Sequence, residues 1–201
     1  MWRFDTARRV QLTRLAVILT IALAAPASIA AADIARGRAL ARSCSECHGT
    51  PQRAPLAGMP YLAGQPAHFV ELQLIMMREG LREVPQMTGL LKGVSDRDIG
   101  DLAAHFSQQA PPPNRARRDP ARYERGATLS KEMICGNCHG EDFRGHKHLP
   151  RLASQREDYL VTSLKAYRDN KRTGIDTSMN ELMHGVANVD IEALAHFLAH
   201  Q

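Results

Sequence analysis

The sequence contains few aromatic residues, and they do not alternate with basic residues along any stripe. Phe, Trp and Tyr make up 5% of the 201 residues, and there is a single tryptophan. Proteins that bind nucleic acid usually present a basic surface together with aromatic side chains on which bases stack. We therefore expect no nucleic-acid partner. A small domain with so few large side chains has a thin core, which often needs a covalent or metal-based support.

The chain also lacks the sustained alternation of apolar and polar residues that predicts a half-buried β-strand. Helical patterns are present instead. Ser95 opens one of them with an acidic residue three positions later, which is typical of a capping box. Apolar residues then recur on one helical face, and the same spacing returns near the C-terminus: Ile99, Leu102 and Phe106, then Ile191, Leu194 and Leu198. The segment 66–80 begins with proline and ends with glycine, as helices often do. The sequence predicts an all-α fold.

The N-terminus contains an apolar run, Leu15–Ala25, preceded by four arginines and followed by small residues. This order predicts a secretory signal peptide over residues 1–32, with Ala30 and Ala32 at the −3 and −1 positions of the cut. A cut before Ala31 and a retained membrane anchor are the alternatives. Removal of residues 1–32 takes away four arginines and one aspartate, so the net charge falls from +5 to +2.

Cysteine is scarce as well, and all four cysteines belong to two copies of one five-residue pattern. Each copy has two cysteines separated by two residues and followed directly by a histidine: Cys44, Cys47 and His48, then Cys135, Cys138 and His139. Two disulfides, redox-active cysteine pairs or a zinc site would use the same cysteines. The adjacent histidine favours covalent haem attachment, in which both thiols bond to the haem and the imidazole binds the iron. We therefore predict two covalently bound haem c groups.

The two motifs belong to a longer internal duplication, because other residues recur at nearly the same offset of 91 residues. The matched pairs include Gly37 with Gly126, Pro60 with Pro150, Gln65 with Gln155, Phe69 with Tyr159, Arg78 with Arg168 and Arg82 with Arg172. We predict one domain over residues 33–106 and a second over 123–201. A proline- and arginine-rich linker, 107–122, joins them. We expect its arginines to be solvated rather than docked.

One methionine in each copy is a candidate for the second axial ligand of the iron. Methionine in this role raises the reduction potential of the haem. Met87 and Met179 each lie 11 residues before an equivalent aspartate, 39 and 40 residues after the motif histidine. Both fall in segments that we predict to be non-helical. Met76 and Met77 lie within a predicted helix and are better explained as core. The alternatives in the second copy are Met183, His146 and His148.

These motifs resemble those of the di-haem class I cytochromes c of the cytochrome c4 type. The resemblance covers the chain after residue 32 and rests on both Cys-x-x-Cys-His-Gly stretches, PYLAGQP with ELQLIMMREGLR, Met87, and SDRDIGDLAAHFSQQ. It implies two cytochrome-c-like domains related by an approximate two-fold, with the haems close to their interface. It also implies that the carbonyl groups of Pro60 and Pro150 orient the proximal imidazoles, and that electrons pass through the periplasm, often toward a terminal oxidase.

We therefore predict a soluble periplasmic electron carrier with no catalytic residues. Its haem-binding residues are Cys44, Cys47, Cys135 and Cys138, and its iron ligands are His48, Met87, His139 and Met179. The expected partners are redox proteins that donate and accept electrons. We expect a monomer. Peripheral contact of this monomer with a membrane surface is compatible with the sequence. Two other functions remain open: a haem enzyme or sensor with one open iron, and a subunit docked permanently on a dehydrogenase or oxidase.

Overall fold

The computed structural model of the chain describes residues 31–172 and 174–201. Within them, Ala32–Gln201 forms one compact unit. The secondary structure of these residues is helical, with two isolated β-bridges and no strand ladder, which confirms the predicted all-α class. The elements are α1 (Ile34–His48), α2 (Ala67–Arg78), a 3-10 turn (Pro85–Met87), α3 (Asp96–Ser107), α4 (Pro120–Glu132), α5 (Cys135–His139), α6 (Glu157–Arg168), α7 (Ser178–Met183) and α8 (Asn188–Ala199). We call residues 33–106 the first half and residues 123–201 the second half.

Each half is built around one pair of closely packed helices, α1 with α3 and α4 with α8. A glycine lies at each crossing. A Cβ atom on Gly37 would stand 2.0 Å from the carbonyl oxygen of Asp101, and one on Gly126 would stand 2.1 Å from that of Ala193. Both distances are shorter than any van der Waals contact, so the close approach of the two backbones requires glycine at these positions.

Helix α3 begins as the sequence predicts. The Ser95 side chain accepts the backbone N–H of Asp98, and the Asp98 carboxylate accepts the backbone N–H of Ser95, which together form a capping box. The predicted apolar faces of α3 and α8 are both buried: Ile99, Leu102 and Phe106, then Ile191, Leu194 and Leu198. Helix α2 packs against α3, and α6 packs against α7 and α8.

The predicted helix over 66–80 is α2, with boundaries shifted by one or two residues. Pro66 is its N-cap rather than its first residue, and the helix ends at Arg78. Gly80 adopts a φ of 71°, which an L-residue rarely takes. The chain reverses there, and the backbone N–H groups of Leu81 and Arg82 both donate to the Met76 carbonyl.

Residues 108–119 connect α3 to α4 and lie against the C-terminal end of α8. The Asn114 side chain donates to the carbonyl of Ala199 at 2.7 Å. The Arg118 guanidinium stacks over the Tyr123 ring at 4.4 Å. Residues 1–30 of the predicted signal peptide lie outside the described residues. No helix among residues 31–172 and 174–201 is both long enough and apolar enough to cross a membrane.

Candidate haem sites

The first Cys-x-x-Cys-His motif forms the last turn of α1. Cys44 and His48 are four residues apart on this helix, so their side chains lie on the same face. The helix ends immediately afterwards, because Gly49 has a φ of 72°. The motif therefore presents a thiol and an imidazole together at the C-terminal end of a helix.

The second motif is a separate single turn, α5, rather than the end of a longer helix. Helix α4 stops at Glu132, and Ile134 has a φ of 49° before α5 begins at Cys135. Left-handed backbone is unfavourable for a β-branched residue. The first motif extends a helix without such a break, and the repeat pattern in the sequence did not reveal this difference.

Both motif histidines are oriented by a proline carbonyl, as the resemblance implied. The Nδ1 atom of His48 lies 3.0 Å from the carbonyl oxygen of Pro60, and the Nδ1 of His139 lies 3.0 Å from that of Pro150. Because a carbonyl can only accept, each Nδ1 carries the proton and leaves Nε2 as the free metal-binding atom. Burial lowers the pKa of both imidazoles, although the hydrogen bond to the carbonyl opposes the shift. A neutral imidazole is the form that binds iron.

The cysteines are arranged for attachment of a group by two separate bonds at each motif. No disulfide joins any of the four, and in each motif the first cysteine is partly buried and the second is exposed. Burial raises the pKa of the Cys44 and Cys135 thiols. The set of donor atoms at each motif, two thiols and an imidazole with a free Nε2, fits a covalently attached haem.

The two candidate methionines lie in different local structures. Met87 is the last residue of the 3-10 turn, and its backbone N–H donates to the Val84 carbonyl at 2.8 Å. The prediction that Met179 lies outside a helix is wrong, because it is the second residue of α7. Asp176 accepts the backbone N–H of Ser178 at 3.0 Å immediately before the N-cap residue of this helix, Thr177. Asn180 then fixes the helix by donating to the Arg172 carbonyl at 2.8 Å.

The alternative axial ligands in the second half are either packed in the hydrophobic core or exposed in a loop. Met183 is 1% exposed and packs in a core cluster with Leu164, Ile191 and Leu194. His146 and His148 are exposed in the loop that follows the motif. That loop is folded against His139, since Gly145 donates its N–H to the His139 carbonyl at 2.8 Å. These two histidines therefore belong to a loop that is held close to the His139 backbone.

One other group of metal-binding side chains occurs among the described residues: Glu157, His196 and His200. Its donor atoms already have hydrogen-bond partners. His196 donates from Nδ1 to the Glu157 carboxylate at 2.8 Å and accepts the backbone N–H of Asp119 at Nε2, at 2.9 Å. His200 Nδ1 donates to the His196 carbonyl at 2.7 Å. These bonds join the connector to α6 and α8, which is a structural role.

A buried arginine provides a further test of the fit to haem. Arg151 is 3% exposed, and it has no carboxylate partner among the described residues. It donates to the carbonyls of Ala63 and Ala153, but its Nε is buried without any partner. Burial lowers the pKa of Arg151 to about 10. A buried cation needs an anion, and haem carries two carboxylates. Sequence reasoning missed this residue, although the arginine stands where the repeat has Tyr61.

The two halves contact each other through equivalent glutamines. Gln65 donates to the Arg151 carbonyl at 2.9 Å and accepts the Arg151 backbone N–H at 3.0 Å. Gln155 makes the same exchange with Tyr61, at 3.0 and 2.8 Å. Tyr61 and Arg151 occupy equivalent positions of the duplication, so each half gives the other the same pair of bonds.

The chain is similar in sequence and structure to known cytochromes. A family model for cytochrome c matches residues 123–201. Cytochrome c4 from Pseudomonas aeruginosa is 31% identical over 191 residues, which cover 90% of this chain and 94% of that protein. The chain belongs to the cytochrome c4 family. The crystal structure of reduced recombinant cytochrome c4 from Pseudomonas stutzeri superimposes with a TM-score of 0.74 at 30% identity, covering 84% of this chain and 98% of that one.

Membership of the cytochrome c4 family confirms the predicted cofactor and the general function. The chain is a di-haem electron-transfer cytochrome, and its two haem c groups are bound covalently at the two Cys-x-x-Cys-His motifs. Another relative carries a more specific name. A thiosulfate dehydrogenase electron acceptor from Thiomonas intermedia is 32% identical and covers 89% of this chain and 85% of that protein.

Proposed function

We propose that each half is a cytochrome domain whose iron is bound by a histidine and a methionine. His48 and Met87 would be the axial ligands in the domain 33–106, and His139 and Met179 those in the domain 123–201, with 107–122 as the linker. The haem supplies one-electron redox chemistry when bound. The chain orients the imidazoles through Pro60 and Pro150 and supplies cysteine thiols for attachment. The observation that carries the proposal is the Nδ1-to-carbonyl bond, 3.0 Å in both halves.

The choice of Met179 rests on what surrounds the alternatives. The Met183 side chain is packed in the hydrophobic core, and its equivalent in the first half, Leu91, is also buried at 7% exposure. His146 and His148 are exposed in a loop held against the backbone of His139, whereas the second axial ligand has to approach from the opposite side of the haem. Met179 is partly buried at the edge of the same core, at the repeat position that matches Met87.

We further propose that the protein is exported to the periplasm and carries electrons between redox proteins without turning over a substrate itself. The basic, apolar and small-residue order of residues 1–32 supports export. A ligand on both sides of each iron leaves no open coordination site for a substrate. A terminal oxidase is the acceptor that the family resemblance suggests. The name of the Thiomonas intermedia relative favours a sulfur-compound dehydrogenase as a donor, whether the contact is transient or permanent.

Absorption spectroscopy of the purified holoprotein tests the ligand assignment. We expect two low-spin haems, a far-red methionine-to-ferric-iron band, and little change on addition of carbon monoxide. Met179→Ala should open one iron, so that about half of the haem binds carbon monoxide. Met183→Ala is the matched control: it should reduce the free energy of unfolding by about 2–5 kcal/mol through a core cavity and leave the spectrum unchanged. Carbon monoxide binding to half of the haem in the parent protein would show that one iron is open or weakly ligated, and would contradict the assignment of methionine ligands to both irons.

A further inference from the structure

Two histidines one turn apart, at the C-terminal end of α8, bind the connector, residues 108–119. His196 is 2% exposed. Its Nδ1 donates to the Glu157 carboxylate at 2.8 Å, and its Nε2 accepts the backbone N–H of Asp119 at 2.9 Å. Because a backbone N–H can only donate, Nε2 carries no proton in this arrangement. The bond to Asp119 therefore requires a neutral His196.

His200 requires the opposite protonation state for its bond to the connector. The centroid of its ring lies 4.3 Å from that of His196. Its Nδ1 lies 2.7 Å from the His196 carbonyl oxygen, and its Nε2 lies 3.2 Å from the Ala116 carbonyl oxygen. Both oxygens can only accept, so His200 donates to both of them only when its ring carries two protons and a positive charge.

The charged groups on the elements around His196 already have partners. Glu157 on α6 forms an ion pair with Arg122 on α4 at 2.6 Å, and the Asp119 carboxylate accepts the Arg122 backbone N–H at 3.0 Å. On α8 itself, Glu192 pairs with Lys165 of α6 at 3.7 Å. Glu157 contacts the His196 ring directly, so its carboxylate would stabilise a charged imidazole. The backbone N–H of Asp119 would oppose a proton on Nε2.

The first half has different residues at the equivalent positions. Ala104 and Gln108 correspond to His196 and His200, and Ala67 corresponds to Glu157. Helix α3 nevertheless packs against α1 as α8 packs against α4. The helix pair therefore does not need these histidines, which occur in the half that the connector enters.

We propose that His196 and His200 form a proton-operated switch, which moves the attachment of the connector from Asp119 to Ala116 as the pH falls. A second proton on His196 places a donor at Nε2 against the N–H of Asp119, and two donors cannot form a hydrogen bond. The same fall in pH charges His200, which then donates to Ala116 as well as to the His196 carbonyl. Histidine side chains change charge between about pH 5 and 8, so the switch acts near neutral pH.

The connector also forms one wall of a cleft between the halves. The cleft has a volume of about 1210 Å³, and residues 112–116 line it together with residues of both halves. A change in the attachment of the connector alters the shape of this cleft. The proposal does not depend on which residues ligate the irons.

Hydrogen exchange at single amides, measured by NMR of the reduced holoprotein at about pH 8 and about pH 5, tests this inference. After correction for the intrinsic pH dependence of exchange, we expect the Asp119 amide to lose about tenfold in protection at the lower pH, because its acceptor is lost. The carbonyl carbon resonance of Ala116 should shift over the same range.

Substitutions assign these responses to the two histidines. In His196→Gln the side-chain oxygen can accept the Asp119 N–H and gains no proton, so the protection of Asp119 should be equal at both pH values. His200→Gln should abolish the shift of Ala116. The matched control is His68→Gln, which removes an exposed histidine of α2 and should leave both responses unchanged.

Three results would overturn the inference. One is equal protection of Asp119 at both pH values in the parent protein. Another is a pH response that persists in His196→Gln, since that would place the titrating group elsewhere. The third needs no substitution and applies even if the variants do not fold. The imidazole nitrogen resonances of the parent should show Nε2 of His196 unprotonated at the higher pH and protonated at the lower, and a ring that stays neutral would exclude the switch.

Discussion

Asp158 joins the two halves of the molecule through one carboxylate. It accepts the backbone N–H of Gly58 in the first half at 2.9 Å, and the Arg156 guanidinium donates to both of its oxygens, at 2.8 and 2.5 Å. Arg156 also donates to the Pro55 carbonyl at 3.1 Å. The hydrogen bonds from Arg156, helped by that from Gly58 and opposed by burial, lower the pKa of Asp158 to about 2.

We expect Asp158→Asn to lower the free energy of unfolding at neutral pH by about 0.5–1 kcal/mol, a small value because the ion pair is partly exposed to solvent. The folded pKa of about 2 lies below the reference value of 3.8. The carboxylate therefore stabilises the protein fully above that reference value, and its contribution disappears as the pH falls through 2. Denaturant unfolding of the parent and the variant at several pH values between about 7 and 2 measures the difference.

Asp142→Asn is a suitable control, since Asp142 is exposed and pairs locally with Arg144 at 3.2 Å. It should cost less than Asp158→Asn at neutral pH. A cost of Asp158→Asn that stays constant from neutral to acid pH would contradict the role assigned to the ionised carboxylate.

Single residues were predictable from the sequence where a local motif determines their surroundings. The haem-attachment motif identifies its own cysteines and histidine, and the family resemblance implied that the carbonyls of Pro60 and Pro150 orient the two histidines. Arg151 was not predictable in this way. Its burial depends on contacts between segments that are distant in the sequence, for example with Ala63, 88 residues away.

At the scale of the helices, α3 and α8 are equivalent elements that begin differently. Ser95 caps α3 through a complete capping box. The N-cap of α8 is Ala187, whose side chain has no hydrogen-bond acceptor. Asp190 lies three residues after Ala187, where Asp98 lies relative to Ser95. The second half therefore retains the acidic partner of a capping box without the hydroxyl.

We expect Ser95→Ala to reduce the free energy of unfolding by about 1 kcal/mol, because one backbone N–H at the start of α3 loses its acceptor. Ala187→Ser should increase it by up to about 1 kcal/mol by completing the capping box with Asp190. Denaturant unfolding of the two holoproteins checks both values. A decrease in stability for Ala187→Ser would show that the start of α8 cannot adopt the geometry seen at α3.

The long amphipathic helices were predictable because their apolar residues recur with helical spacing. The short elements were not. Helix α7 has six residues, too few for a periodic pattern, and its position depends on the Asn180 side chain reaching the Arg172 carbonyl. The break between α4 and α5 at Ile134 was also not predictable from the sequence, because isoleucine rarely adopts a positive φ and here has a φ of 49°.

At the scale of the whole molecule, two reciprocal pairs of hydrogen bonds hold the halves together, one between Gln65 and the Arg151 backbone and one between Gln155 and the Tyr61 backbone. Gln65→Ala or Gln155→Ala would each leave a backbone N–H and a carbonyl of the opposite half without partners, in a region where both glutamines are 3% exposed. We expect each substitution to cost about 1–3 kcal/mol. We also expect faster proteolysis within 108–119, because the connector is exposed when the halves separate.

Gln108→Ala provides the control, since Gln108 is an exposed glutamine directly after α3. Equal proteolysis of all three variants and the parent would show that the glutamine exchange does not hold the halves. The duplication itself, including the equivalence of Gln65 and Gln155, was evident in the sequence. The surfaces through which the copies meet were not, because a repeat reveals which residues correspond and not which ones touch.

The reciprocal exchange of bonds is the pattern by which two identical subunits associate, in which whatever one protomer gives its partner it also receives. Here both participants belong to one polypeptide. In a homodimer a mutation at such a contact is always present twice, so both copies of the contact would carry the same residue beside the glutamine. In a single chain the two copies can differ: the Gln65 contact has Arg151, and the equivalent Gln155 contact has Tyr61, so only one of them carries a charge. Covalent linkage of the copies thus allowed the two haem environments to diverge one residue at a time.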